Sequence, residues 1–123
     1  MLLIMPTICF AYPQINMSDK YVGVNYTYFT DYYVNITSYE FKDNGTVDIN
    51  ILIKDKLEGA TTLMGINVDE DHMQSKILVA VVTRRGEQPQ TVTGDGFYHQ
   101  FGKDSTIMRA LNIVKKYEKE NEQ

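Results

Sequence analysis

The chain has 123 residues, 43% of them hydrophobic and 23% charged, and a formal net charge of -4 at pH 7. That is the size of one domain, with enough chain to bury a core without cross-links. The acidic balance excludes a nucleic-acid partner and recruitment to a membrane by a lysine-rich surface, because the adjacent cations Arg84-Arg85 and Lys115-Lys116 read as turn and helix surface.

The first eleven residues, Met1 to Ala11, read MLLIMPTICFA, uncharged and almost wholly apolar. The run is too short to span a bilayer as a helix. It has the length of a secretory signal's apolar region, with Ala11 before the cut and Cys9 two positions earlier. Its departure is at the front, where Lys or Arg is absent, so the signal is atypical or the true start lies upstream. The alternative is a buried first strand, against which Pro6 and Pro13 argue. The expected organisation is a signal over 1–11, one domain over 12–118 and a polar tail over 119–123. Export to the periplasm, cell surface or medium follows from the signal, and a cytoplasmic location follows if the segment is not one. Cys9 is the single cysteine, so a chain beginning at Tyr12 has no thiol and no disulfide framework. As a lipid-modified cysteine it lacks the small residue expected before it, since Ile8 stands there.

Four Asn-x-Ser/Thr triplets begin at Asn16, Asn25, Asn35 and Asn44. They are glycan acceptors in a eukaryotic secretory protein and chance products of an Asn- and Thr-rich strand region elsewhere. Tyr21 to Phe29, with its β-branched and aromatic residues, predicts a strand. The tyrosines crowd the first half of the chain. Rings that sit half in a core with their hydroxyls wet account for this better than a base-stacking platform, which needs basic neighbours.

Tyr32 to Asp55 carries the clearest β-pattern. Val47, Ile49, Ile51 and Ile53 alternate with Asp48, Asn50 and Lys54, broken only by Leu52. A two-residue Asn44-Gly45 loop would pair Lys42 with Val47 and Glu40 with Ile49, putting charge on the core face. A three-residue Asp43-Asn44-Gly45 loop pairs Phe41 with Val47 and Tyr39 with Ile49, and places Gly45 where a left-handed residue is needed. Upstream, Val34 and Ile36 are even-numbered while Tyr39 and Phe41 are odd, which predicts a bulge or tight turn at Thr37-Ser38.

A strand over about Ala60 to Asn67 is entered through Gly59. Asp69-Glu70-Asp71-His72 then reads as a solvated turn, because its spacing is not that of a calcium loop. Ile77 to Thr83 is apolar on both faces, the pattern of a covered central strand, and is the expected seat for a helix. Gln90 to Thr93 returns as a short strand that Pro89 assigns to an edge. Gly94-Asp95-Gly96 lacks the ending of a phosphate loop, and His99 lies among aromatics. A helix is expected from about Ser105 to Glu118, capped by Asp104 or Ser105. Its apolar stripe is Ile107, Ala110, Leu111, Val114 and Tyr117. The fold class is therefore α+β: a single, mainly antiparallel sheet of five to six strands with one C-terminal helix packed on it.

The segments YYVNITSYEFKDNGTVDINILI, SKILVAVVTRRGEQ and FYHQFGKDSTIMRALNIV, in that order, resemble the bacterial surface-adhesin protein E-like family across roughly Tyr21 to Val114. The chain departs from that family in lacking its tryptophans and the cysteines after the middle strand and at the helix end. The resemblance implies an exported small α+β domain, some relatives of which bind host matrix or serum proteins.

The function expected from these readings is an exported, non-catalytic binding module of a bacterial envelope, with a protein partner. Its candidate surface residues are Tyr28, Tyr32, Tyr39 and Tyr98. No cofactor, metal or catalytic residue is assigned. The alternative is a secreted inhibitor or immunity-type protein that blocks another protein's site. An enzyme using His72 or His99 with Asp95 is the third reading, which motif spacing does not support.

Overall fold

The computed structural model describes residues 19–121. Seven strands and one helix follow in order: β1 (Tyr21–Tyr26), β2 (Thr30–Phe41), β3 (Val47–Asp55), β4 (Ala60–Asp69), β5 (Gln74–Thr83), β6 (Gln90–Thr93), β7 (His99–Gln100) and α1 (Thr106–Asn121). The first six form an antiparallel meander in sequence order, β1-β2-β3-β4-β5-β6, and the two-residue β7 pairs with β5. This is the expected α+β architecture of one antiparallel sheet with a C-terminal helix. The expected signal segment 1–11, with Cys9 and Ala11, and the Asn16 triplet lie outside the described residues. Residues 119–121, assigned above to a polar tail, continue the helix.

The β2–β3 hairpin has the register that keeps charge off the core. Phe41 pairs with Val47 and Tyr39 with Ile49. Lys42 N–H donates to Thr46 O at 2.8 Å and Gly45 N–H to Lys42 O at 3.1 Å, closing the Asp43-Asn44-Gly45 loop. Gly45 has φ 89°, the left-handed conformation that a G1 bulge requires. The parity break is a large bulge. Val34 pairs with Ile51 and Tyr39 with Ile49, so five steps along β2 match two along β3. Asn35, 1% exposed, holds the extra residues. Its Oδ1 accepts from Thr37 N–H at 2.8 Å, Thr37 Oγ1 at 2.8 Å and Ser38 N–H at 2.9 Å.

The core lies between one sheet face and α1. Val34, Ile49, Ile51, Ile66 and Val68 meet Ala110, Leu111 and Val114 there. Ser105 caps the helix, its Oγ accepting from Met108 N–H at 3.2 Å. The seat expected for the helix is corrected: α1 lies across β1, β2 and β3, not on Ile77–Thr83. On this face β1 to β3 bring Val24, Val34, Tyr39, Val47, Ile49, Ile51 and Ile53 to the core under the helix, whereas β5 presents Ile77 and Ala80 to one side of it. Ile77 stays 40% exposed, and Val92, paired with Ala80 on the same face, 53%. The doubly apolar pattern of β5 has a different origin on its other face. There Leu52, Leu63 and Val79 form a second buried apolar strip across β3, β4 and β5. Leu52, the break in the β3 alternation, belongs to that strip.

Candidate functional site

The four nominated tyrosines do not share a surface. Tyr32 pairs with Ile53 and Tyr39 with Ile49, so both lie on the helix-bearing face. Tyr39 is tied down there, its hydroxyl donating to Glu118 Oε1 at 2.9 Å. Tyr98 crosses to the opposite face, where its hydroxyl donates to Asn67 Oδ1 and the Lys76 ammonium stands 4.9 Å from its ring centroid. Tyr28 alone of the four is freely presented, at 85% exposure in the turn between β1 and β2.

Tyr28 belongs to a larger tip that was not read from the sequence as one unit. Thr30 pairs with Asp55 at the end of the β2–β3 ladder. One step further, Lys56 N–H donates to Phe29 O at 2.8 Å. The β1–β2 and β3–β4 turns are thus side by side, joined at Phe29 and Lys56, with Tyr28 and Leu57 the next residue along each turn. The rings of Tyr28 and Phe29 meet edge to face with centroids 4.7 Å apart. Phe29 is 52% exposed, Leu57 74% and Tyr26 65%. Behind Tyr26, the Tyr33 ring lies 5.9 Å away and carries the Lys54 ammonium at 5.4 Å from its centroid.

The turns under these side chains are fixed. Thr27 N–H donates to Thr30 O at 2.8 Å and Thr30 N–H to Thr27 Oγ1 at 2.9 Å. Lys56 Nζ donates to Thr27 O at 2.8 Å. Asp31 Oδ1, buried, is compensated by the same ammonium at 3.1 Å rather than by a hydrogen bond. Asp55 Oδ1 accepts from Leu57 N–H at 3.0 Å and Glu58 N–H at 3.1 Å. Gly59 turns with φ 67°, and a Cβ placed on it would lie 3.5 Å from the Arg85 guanidinium, so Arg85 lies over this turn. A rigid base that presents unsatisfied apolar side chains is suited to binding, because little conformational entropy remains to be lost on contact.

The opposite end of the sheet is polar and acidic. Asn67 Nδ2 donates to Thr46 Oγ1 at 2.9 Å and to Asp48 Oδ1 at 2.7 Å. Thr46 Oγ1 in turn donates to Asn44 Oδ1 at 2.7 Å, so the Asn44 amide is engaged in the turn. The other two triplet asparagines are also occupied: Asn35 is buried, and Asn25 Nδ2 donates to Thr106 Oγ1 at 3.2 Å. Glu40, Asp43, Asp48, Asp69, Glu70 and Asp71 lie on or beside the two turns at this end.

Both histidines pair with a neighbouring carboxylate in the open. His72 Nδ1 is 2.8 Å from Asp69 Oδ2, and His99 Nε2 is 2.8 Å from Asp95 Oδ2. Hydrogen bonds, first from Gln74 and then from His72, hold the Asp69 carboxyl below its ordinary pKa. For Asp95 the Phe97 backbone N–H does so first and His99 second. Among the described residues no group of three or more His, Cys, Asp or Glu is placed to hold a metal ion, and no helix is long and apolar enough to cross a membrane.

No family model matches the chain, and searches of curated proteins and of solved structures find no similar one.

Proposed function

We propose that this chain is an exported, non-catalytic binding module of a bacterial cell envelope, similar to the surface-adhesin protein E-like proteins, and that it binds through its aromatic tip. The observation that carries the reading is the exposure of Tyr28, Phe29 and Leu57 on two hydrogen-bonded turns. Tyr28 and Leu57, 85% and 74% exposed, add little to the chain's own core, and large exposed apolar clusters mark contact sites. Tyr28 is the nominated residue on which the reading rests. The open His–Asp pairs are consistent with surface structure: each histidine is bonded to a carboxylate three or four residues away and faces solvent.

The test is cross-linking capture from envelope and host extracts with the purified, folded protein. Capture by the parent chain, lost on combined Tyr28→Ser and Phe29→Ser, supports the reading. Capture unaffected by those changes moves the site elsewhere. Determination of the N-terminal residue of the expressed protein tests export: a cut near Ala11 is expected, and Met1 retained in the cytosol overturns it.

One observation favours a second reading, a blocker of another protein's basic site. Six carboxylates, on Glu40, Asp43, Asp48, Asp69, Glu70 and Asp71, gather at the end away from the tip, and although Lys42 pairs with Glu40 and Asp48 and Lys115 with Glu70, Asp43 and Asp71 stand exposed there. A single stoichiometric complex that weakens steeply with salt, and that depends on Asp43 and Asp71 rather than Tyr28, would select this reading.

A further inference from the structure

Asn44 is the only asparagine of the chain that is followed by glycine. Its side chain bends forward over that bond. Asn44 Oδ1 accepts from Thr46 N–H at 3.0 Å and from the Thr46 hydroxyl at 2.7 Å. An oxygen held to the N–H two residues on carries its own carbon, Cγ, across the intervening amide nitrogen, that of Gly45. The proton of the Thr46 hydroxyl is aimed by the groups behind it. Asn67 Nδ2 donates to Thr46 Oγ1 at 2.9 Å and to Asp48 Oδ1 at 2.7 Å, while the Tyr98 hydroxyl donates to Asn67 Oδ1, so the Asn67 amide is fixed in orientation. Thr46 Oγ1 therefore accepts on that side and gives its own proton to Asn44. Thr46 is 7% exposed, whereas Asn44 and Gly45 face solvent. A Cβ on Gly45 would meet nothing within 4 Å, so nothing hinders approach to its nitrogen. Asn35 is the contrast within the same molecule. Its Oδ1 accepts from the N–H and the hydroxyl of Thr37 in the same way, both at 2.8 Å, but it is buried and followed by the β-branched Ile36, which crowds the amide.

We propose that Asn44-Gly45 is a self-modifying site, at which the folded turn promotes loss of the Asn44 amide. The Gly45 nitrogen gives up its proton to hydroxide and adds to Asn44 Cγ, and the carbonyl electron pair moves onto Oδ1. The two Thr46 donors already hold that oxygen and stabilise it as an oxyanion. Its collapse breaks the Cγ–Nδ2 bond and, with a proton from water, releases ammonia and leaves a cyclic succinimide. Water then opens the ring. Cleavage of the new Cγ–N bond leaves an aspartate at position 44, and cleavage of the original peptide bond leaves an isoaspartate, with the main chain running through Cγ. One water is consumed and one ammonia released, and nothing is oxidised or reduced. The hydrogen bond from Gly45 N–H to Lys42 O, at 3.1 Å the longer of the two that close the loop, opens first, which needs a local motion of the turn and not unfolding. Either product adds a negative charge beside Asp43. Isoaspartate also lengthens the loop that sets the pairing of Phe41 with Val47. The change needs no enzyme and is not reversed by water, so the turn marks the age of the folded chain.

The experiment is incubation of the purified, folded chain in heavy-oxygen water at mildly alkaline pH, followed by mass spectrometry of the peptide that contains position 44. The folded parent should exchange the Asn44 amide for an oxygen from solvent, as a mixture of aspartate and isoaspartate. It should do so at least as fast as the same chain held unfolded in urea, and Asn35 should stay intact. Thr46→Val, which keeps the branched shape and removes the hydroxyl, should slow conversion of the folded protein by about tenfold, less than an enzyme loses with an oxyanion donor because this turn is open to water. Thr46→Ser, which restores the hydroxyl, should bring the rate back toward the parent's, and all three chains should convert alike in urea. Thermal melting shows which variants are folded, and the comparison of the folded parent with its urea-unfolded form needs neither variant. Conversion that is absent from the folded parent, or slower there than in urea, overturns the inference. So does a folded Thr46→Val chain that converts as fast as Thr46→Ser.

Discussion

Tyr39, on the second strand, donates its phenolic proton to Glu118 Oε1, on the last helix, over 2.9 Å. The pair joins positions 79 apart in the chain and ties the C-terminal half of α1 to the sheet. Burial, and then the hydrogen bond and charge of Glu118, raise the Tyr39 pKa above its ordinary value. A group raised in the folded state contributes stability that is complete below the unfolded pKa and is lost as pH rises through the folded one. Tyr39→Phe should therefore cost about 1 kcal/mol at neutral pH. It should also flatten part of the stability loss seen above about pH 10. Glu118→Gln keeps an acceptor and removes the charge, so it should cost less at neutral pH. Urea unfolding of the three proteins at neutral and alkaline pH measures both effects.

Asn35 holds the β2 bulge through one oxygen that accepts three hydrogen bonds. Asn35→Ala removes all three from a site closed to water. The released Thr37 and Ser38 groups are themselves exposed and recover solvent, so the expected cost is about 1–3 kcal/mol. The bulge also sets the register by which Val34 and Tyr39 both reach the core face. Loss of its clamp should therefore speed amide exchange across 35–39 more than across β3 or β4. Uniform acceleration across the sheet would show that the clamp is not local.

Gly94 passes so close to β5 that a Cβ on it would lie 1.8 Å from Ile77 O and 2.7 Å from Ile77 C. These are backbone atoms inside a paired strand and cannot turn aside. Gly94→Ala should push the chain off the β5 edge, costing about 1–3 kcal/mol. Protection should fall over β6 and β7, and the Tyr98 contact with Asn67 should loosen with it. Hydrogen exchange followed by mass spectrometry on the peptide around 88–100 reads this directly.

What was legible in the sequence was periodic or local. The β3 alternation and the need to keep Lys42 and Glu40 off the core were enough to choose the Asp43-Asn44-Gly45 loop, because a one-residue slip reverses every side chain. The Thr37-Ser38 bulge showed itself as a change of parity, and Ser105 and the Ile107–Val114 stripe marked the helix. The helix's seat was not legible. An apolar strand reads alike whether its two faces meet a helix, a second apolar strip or nothing, and the chain order of a meander does not say where the last element returns. The tip was hidden for a related reason. Tyr28 and Leu57 are far apart in the sequence, and their turns come side by side only through the β2–β3 ladder and the Phe29–Lys56 hydrogen bond beyond it, so no window of sequence contains both. Tyr39 and Tyr98 carried the same compositional signal as Tyr28 but are held by Glu118 and Asn67.

The position of α1 makes a sharp prediction about two aliphatic residues of similar size. Leu111, fully buried, sits where the helix meets Val34, Ile49 and Ile51. Leu111→Ala deletes side-chain atoms from a packed site and leaves a cavity, so it should cost about 2–5 kcal/mol. Ile77 lies on the strand whose pattern invited a helix, yet 40% of its surface meets solvent. Ile77→Ala should cost about 1 kcal/mol or less, since much of its side chain is already in water and neighbouring groups can relax. Had α1 been seated on β5, the two costs would be alike. Chemical denaturation of both single variants decides it, and the double variant adds a check. Sites this far apart without a shared partner should sum to within about 0.5 kcal/mol. A larger coupling would mean that the helix reaches β5 in solution.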